Sequence, residues 1–228
     1  MEKAHLILAE SALELIPPEI WHHPAIHNYA RKRGKRPSEL VLDISMHYPA
    51  MKKLPDFLKR GRPDIVHYCL LLALDSPLNK ENLLCTIVHT YQDKTIYIDP
   101  STRIPRNYNR FIGLIEQLLV LGKVPPKSEK PLLWVKSKSL EELIREISPS
   151  KVFLLDEGGV KYNALTLGKR MAREARPAII VGGFQKGELR SETKSLADEI
   201  VCVYSQPLTS WSVLAIVLTA LGIAIRIV

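Results

Sequence analysis

From Pro131 onward the chain alternates between two periodicities, and this alternation constrains the fold more than any other feature. "PLLWV" (131–135), "KVFLLDE" (151–157), "PAIIVGG" (177–183) and "DEIVCVY" (198–204) are short apolar runs. Between them lie "SLEELIREI" (139–147), whose Ser139 and Glu142 can form a capping box, and "YNALTLGKRMAREA" (162–175), both with helical spacing. Strands alternating with helices predict an α/β fold, a largely parallel sheet with helices on its faces. An apolar helix closes the chain, uncharged from Trp211 to Ile225 and interrupted by Arg226. It falls short of the roughly 18 residues a membrane span needs, so a buried helix or a subunit interface is expected and a membrane anchor is not.

The upstream part is less regular. "KAHLILAE" (3–10) reads as a strand, "HHPAIHNYARKRGK" (22–35) as a helix ending at Gly34, and "ELVLD" (39–43) as a short buried strand. Pro63 suits the first helical position, so a helix runs from Pro63 to Leu74 and stops before Ser76-Pro77. "NLLCTIVHT" and "KTIYID" flank "YQD" as a hairpin, and "NYNRFIGLIEQLLVLG" carries a helical apolar stripe. The proline-broken "KVPPKSEKP" (123–131) is the best candidate for an internal boundary.

With 46% apolar residues the chain can bury a core, which excludes global disorder. The net charge of +8 favours a polyanionic partner, through phosphate neutralisation and counterion release. Three cysteines, Cys69, Cys85 and Cys202, lie far apart with no CxxC pair, which points to reduced buried thiols in a cytoplasmic protein. The acidic N-terminal stretch has no signal-peptide cleavage site.

Three glycine-bearing loops follow strands. "IIVGGFQKGEL" carries Gly182, Gly183 and Gly187, "IVCVYSQPLTSW" carries Tyr204, Pro207 and Leu208, and "FLLDEGG" places Leu155 before Gly158 and Gly159. Ligands of open α/β sheets sit at strand carboxyl ends, and glycine allows close backbone approach. The first loop is neither a P-loop, because Glu188-Leu189 replace Lys-Ser/Thr, nor GxGxxG. Such loops can converge on one small molecule and read an adenine edge with backbone groups, although a tight surface turn explains any one of them as well. "STRIPRNYNRF" supplies Arg103, Arg106 and Arg110, the last two sharing a face if the helix starts near 106. "RKRGKR" (31–36) and "KRGR" (59–62) add basic runs that together point to RNA. His23 and His27 have i,i+4 spacing but lack a third ligand, and His67 and His89 sit in apolar elements, so no metal is expected. Arg62 and Asp64 flank Pro63; helix-dipole pairing of Asp64, about 0.3–1 kcal/mol, explains them as readily as chemistry does.

Taken together, "GRPDIVHYCLLLALDSPLN" (61–79), "IVHT" (87–90), "TRIPRNYNRFIGLIEQLL" (102–119), "VGGFQKGEL" (181–189) and "YSQPLTSW" (204–211) resemble the Nep1 (Emg1) family. The family comprises SPOUT-class RNA methyltransferases of small-subunit ribosome biogenesis. The resemblance implies one α/β domain over residues 1–228, with a family insertion at about 43–110 and a C-terminal trefoil knot at about 150–228, an exception to the rule against threaded chains. It implies S-adenosylmethionine as cofactor, a homodimer, and N1-methylpseudouridine in small-subunit rRNA as product. Matched by motif, Gly182, Gly183, Gly187, Tyr204, Pro207, Leu208, Leu155 and Gly158 would hold the cofactor. Arg62, Arg103, Arg106 and Arg110 would face RNA. Arg62 would stabilise the developing anion and Asp64 would accept the N1 proton or orient the base. The short N-terminus lacks the extension of eukaryotic members, which implies an archaeal, cytoplasmic protein. The alternative is an RNA-binding assembly factor in which methylation is secondary or absent.

Overall fold

The structure is a computed structural model that describes every residue, Met1–Val228. In chain order its elements are β1 (Ala4–Ser11), α1 (Pro24–Arg33), α2 (Ile44–Met51), α3 (Pro63–Asp75), α4 (Pro77–Lys80), β2 (Leu84–Thr90), β3 (Lys94–Ile98) and α5 (Tyr108–Leu121). They continue with β4 (Lys123–Val124), β5 (Leu133–Ser137), α6 (Leu140–Ile147), β6 (Lys151–Lys161), α7 (Ala164–Ala172), β7 (Pro177–Gly182), α8 (Ser191–Ser195), β8 (Glu199–Cys202) and α9 (Ser210–Ala224). The eight strands form one sheet in the order β4-β5-β3-β2-β1-β7-β6-β8.

Four junctions of that sheet are parallel and three antiparallel, so it is parallel only from β2 through β8. The expectation of a largely parallel sheet describes one side of the molecule. The other side is antiparallel because a tight turn at Tyr91–Asp93 sends β3 straight back along β2, as the hairpin pattern predicts. The "KVPPKSEKP" connection separates nothing: Lys123 and Val124 pair with Trp134 and Leu133, so both of its ends lie in the same sheet. "ELVLD" is not a strand of the sheet. Leu40 and Leu42 are fully buried, but the segment makes only an isolated bridge, Leu15 to Val41.

Side chains one residue apart on a strand enter opposite cores. Leu6 and Leu8 of β1 join α3, α5, α7 and α9 in the larger cluster, whereas Ile7 and Ala9 join Leu140 and Leu143 of α6 on the other face. A third cluster, around Ile26, Leu40, Leu42 and Met51, packs α1 and α2 against the 16–20 and 40–42 segments. Local signals act as expected at several ends. Ser139 and Glu142 make a reciprocal capping box, Pro63 starts α3, and Ser76 both ends α3 and caps α4. His23 caps α1 by accepting the Ala25 N–H at 3.2 Å, a structural use of that histidine.

The chain path at the parallel edge positions the site. β6 pairs with both β7 and β8. The chain therefore passes from β6 inward to β7, outward past β6 to β8, and back to β7, where the Ser210 hydroxyl at the start of α9 donates to the Gly182 carbonyl at 2.6 Å. α9 then packs on α7 and α3. No helix is long and apolar enough to cross a membrane.

Candidate functional site

The end of β7 and the two segments beside it enclose a cavity of about 620 Å³. Leu155, Asp156 and Gly158 come from β6, Gly182, Phe184, Gly187 and Glu188 from the loop after β7, and Tyr204, Gln206 and Leu208 from the loop after β8. Six of the eight residues expected to hold a small molecule thus line one space: Leu155, Gly158, Gly182, Gly187, Tyr204 and Leu208. Pro207 is exposed and outside the lining. Gly183 is also outside it; a Cβ there would lie 2.1 Å from the Ser11 hydroxyl, so close packing against β1 requires that glycine. Gly187 has φ +107, a conformation closed to ordinary side chains.

The "DEGG" segment is not a strand-end loop. β6 continues to Lys161, and its register against β8 shifts between Leu155 and Val160. Residues 156–159 form a bulge of the kind that re-aims side chains next to sites. Gly159 makes it possible, since a Cβ there would lie 2.6 Å from the Val201 nitrogen. The bulge turns Asp156 and Glu157 toward the cavity, where Glu188 and Lys194 add one charge of each sign and Lys194 lies 3.5 Å from Asp156 and 3.1 Å from Glu188; Leu155, Val181, Val201, Leu208 and Val213 supply the apolar wall. Such a space suits a small amphipathic molecule carrying positive charge, and its volume lies in the usual range of about 300–1,000 Å³.

Arg62 and Asp64 are not part of this cavity's lining. The Arg62 guanidinium donates to both Asp64 oxygens, at 2.8 and 2.7 Å, and this bond together with the nearby carboxylate of Asp43 holds Arg62 firmly cationic. Two of its five N–H donors are used, leaving the rest for a ligand. The corner adjoins the cavity side through backbone. The Arg62 N–H donates to the Ala12 carbonyl at 3.0 Å, and the Ala12 N–H donates to the Gly183 carbonyl at 2.9 Å. On its other side Tyr108 donates to Asp43 at 2.5 Å, and burial, reinforced by that bond, pushes the Tyr108 phenol pKa up.

The basic runs part company in three dimensions. "KRGR" is internally neutralised: Lys59 pairs with buried Glu10, Arg60 makes a two-pronged pair with buried Glu14 at 2.7 and 2.6 Å, and Arg62 pairs with Asp64. In "RKRGKR", Arg33 and Lys35 converge on buried Glu116 and Arg36 pairs with Glu39. These runs therefore supply less free charge for RNA than their sequence suggests. Arg103, Arg106 and Arg110 are exposed and in no ion pair. The α5 helix starts at Tyr108, with Asn107 as its cap, so Arg106 lies before it and does not share a helical face with Arg110. Arg110 stands in the first turn, where the helix dipole disfavours a cation by about 0.3–1 kcal/mol and an added anion would reverse the balance. Arg103 and Arg106 border a second, larger cavity of about 1,090 Å³ between α3 and the 99–106 segment. That segment is tied to α3 by His67, whose Nε2 lies 2.7 Å from the Pro105 carbonyl and whose ring stacks on Phe111 at 4.3 Å.

Burial pushes the Cys69 thiol up to about 12, so it is inert, and all three cysteines are free. No group of three or more His, Cys, Asp or Glu side chains is placed to hold a metal.

The family model described as EMG1/NEP1 methyltransferase matches residues 6–222. The chain is 51% identical over 210 residues to the "Ribosomal RNA small subunit methyltransferase Nep1" of Staphylothermus marinus, covering 92% of this chain and 91% of that one. It is 48% identical over 212 residues to the protein of the same description from Pyrococcus furiosus, with 93% of each covered. Among solved structures, Archaeoglobus fulgidus Nep1 bound to S-adenosylhomocysteine superposes with a TM-score of 0.87 at 36% identity, covering 99% of this chain and 100% of that one.

Proposed function

The chain belongs to the EMG1/NEP1 methyltransferase family, and from that premise we propose that it methylates N1 of a pseudouridine in small-subunit rRNA, with S-adenosylmethionine as donor. The observation that carries this reading is the cavity at the ends of β6, β7 and β8, together with the Arg62–Asp64 corner joined to it through Ala12 and Gly183. The cavity fits the donor: backbone of the 182–187 and 203–208 segments is available for an adenine edge, apolar side chains for its rings, and Glu157, together with Asp156, which shares Lys194, for its positive charge. When bound, S-adenosylmethionine supplies a methyl group made electrophilic by the sulfonium.

The remaining chemistry belongs to this chain. Pseudouridine has an N1–H that uridine lacks, and that proton leaves as N1 gains the methyl. Negative charge builds on the ring carbonyls as the proton leaves, before the new N1–carbon bond consumes it, and the free N–H donors of Arg62 stabilise it there. Asp64 fixes the guanidinium plane with one lone pair of each oxygen. Its remaining lone pairs accept the N1 proton directly or through water, a contribution of about 10²–10⁴-fold for a positioned base. Arg103, Arg106 and Arg110 grip phosphates flanking a base turned out of its loop.

We read residues 1–228 as one catalytic unit. The 43–110 segment, taken as the family's insertion, contributes α3, β2 and β3, and the path over 150–228 is compatible with the trefoil threading expected there. A homodimer would cover the exposed Tyr68, which packs on Trp211 with ring centroids 5.3 Å apart. Three free cysteines accord with a cytoplasmic setting.

The test is methyl transfer to matched rRNA hairpins carrying uridine or pseudouridine at one position. Transfer to pseudouridine only is expected, and equal labelling of both would sink the N1 assignment. A pure RNA-binding assembly factor has no use for the cavity, and absence of S-adenosylhomocysteine binding at millimolar concentration would favour it.

A further inference from the structure

Glu10 is fully buried at the carboxyl end of β1, and its backbone has φ +48, in the left-handed region that non-glycine residues rarely adopt. The β1–β2 register shifts between Leu8 and Ser11, so Glu10 sits in a bulge at the centre of the sheet. A buried carboxylate on a strained backbone is doubly unfavourable and persists only where its surroundings require it.

Its partners show what requires it. Lys59 Nζ donates to one carboxylate oxygen, and the backbone N–H of Arg190 donates to the other at 2.9 Å. The same Lys59 ammonium donates to the Glu188 carbonyl at 2.7 Å and lies 4.3 Å from the centre of the Phe184 ring. Phe184, Gly187 and Glu188 are one wall of the cavity. Lys59 also begins the segment whose next residue, Arg60, is locked by Glu14 and which ends at Arg62.

We propose that Glu10 and Lys59 are positioning residues for methyl transfer: they lock the 184–190 loop, a wall of the donor cavity, to the 59–62 segment that carries the Arg62–Asp64 corner. The proposal rests on the donor-site reading above. An ion pair that served the core alone could be exchanged for uncharged side chains at little loss. Here the pair also satisfies two backbone groups of the loop, the Arg190 N–H and the Glu188 carbonyl, which apolar side chains would leave unpaired.

The test uses the full chain with Glu10→Gln and Lys59→Met combined. Gln at position 10 still accepts the Arg190 N–H and no buried charge is left alone, but nothing donates to the Glu188 carbonyl. The melting temperature should stay within about 4 °C of the parent. S-adenosylhomocysteine should bind about tenfold more weakly by calorimetry, the scale of one lost hydrogen bond. Affinity for an rRNA hairpin should hold within about twofold, which a general loss of structure would not allow. Unchanged S-adenosylhomocysteine affinity in the folded variant would overturn the proposal. A parent that fails to bind S-adenosylhomocysteine would instead overturn the donor-site reading. Hydrogen exchange on the parent supplies an arm that needs neither ligand nor variant: the Arg190 amide should be protected, and exchange as fast as at the exposed Lys127 and Glu129 amides would overturn the clamp.

Discussion

The donor cavity and the arginine side of this molecule are built on opposite plans. The cavity is made mainly of backbone and apolar side chains at the ends of parallel strands, and its charges are Asp156 and Glu157 on a strand bulge, Glu188 on the loop after β7 and Lys194 on α8. The arginine side is made of charged side chains, and three of its cations are committed to carboxylates of the same chain: Lys59 to Glu10, Arg60 to Glu14, Arg62 to Asp64. The difference separates cations that build the site from cations that face a ligand. Arg103, Arg106 and Arg110 are exposed and unpaired, so they are available to phosphate, as are Arg31 and Lys32.

The largest way to break this distinction is to remove a carboxylate from the building set. Glu14→Ala leaves the Arg60 guanidinium, 5% exposed, without its anion. The expected loss is about 3–5 kcal/mol of stability in urea unfolding, with a buried charge left uncompensated. A loss under about 1 kcal/mol would mean that Arg60 finds water, and that the two sets of cations are not distinct.

Acid is a second route. Burial pushes the His47 pKa down to about 4, while its ring accepts the Asp43 N–H at 2.9 Å. The folded state therefore binds fewer protons than the unfolded chain, whose imidazole titrates at about 6.5. The His47 contribution is complete above that value and is lost as pH falls through about 4. The expected decline is on the order of 2–3 kcal/mol between pH 7 and 4, read from urea midpoints. His47→Gln, which cannot titrate, should flatten it.

Removing the ligand-facing set should spare stability and change binding. Replacing Arg103, Arg106 and Arg110 with alanine should lower the slope of log affinity for a single-stranded rRNA loop against log salt by about 0.7 per arginine. The urea midpoint should stay put. Smallest of all, Arg36→Ala removes only an exposed pair with Glu39 and should change neither the urea midpoint nor the salt slope measurably.

The same contrast explains what was legible in the sequence. Features fixed by neighbouring residues were readable: the Ser139–Glu142 capping box, the limits of α3, the hairpin at Tyr91–Asp93, and the strand ends that gather Gly182, Gly187, Tyr204 and Leu208. Pairing across the fold was not. Lys59 and Arg60 meet Glu10 and Glu14 across 49 and 46 residues, and no local pattern announces a partner that distant. One signal was present: Glu10 and Glu14 interrupt the apolar "HLILAESALELI", and a carboxylate in a buried run needs a cation from elsewhere. α2 was missed because Pro49 lies inside it, and the β6 bulge because its glycines read as the end of a strand.

The most direct measurement is a crystal structure of the protein with S-adenosylhomocysteine and an rRNA hairpin carrying pseudouridine. The account predicts the thioether sulfur in the cavity between Gly182 and Leu208, the N1 edge of the base at the Arg62–Asp64 corner, and phosphates on Arg103, Arg106 and Arg110, with none on Lys59 or Arg60. S-adenosylhomocysteine bound outside that cavity, or phosphate seated on Lys59 or Arg60 in place of Glu10 or Glu14, would contradict it.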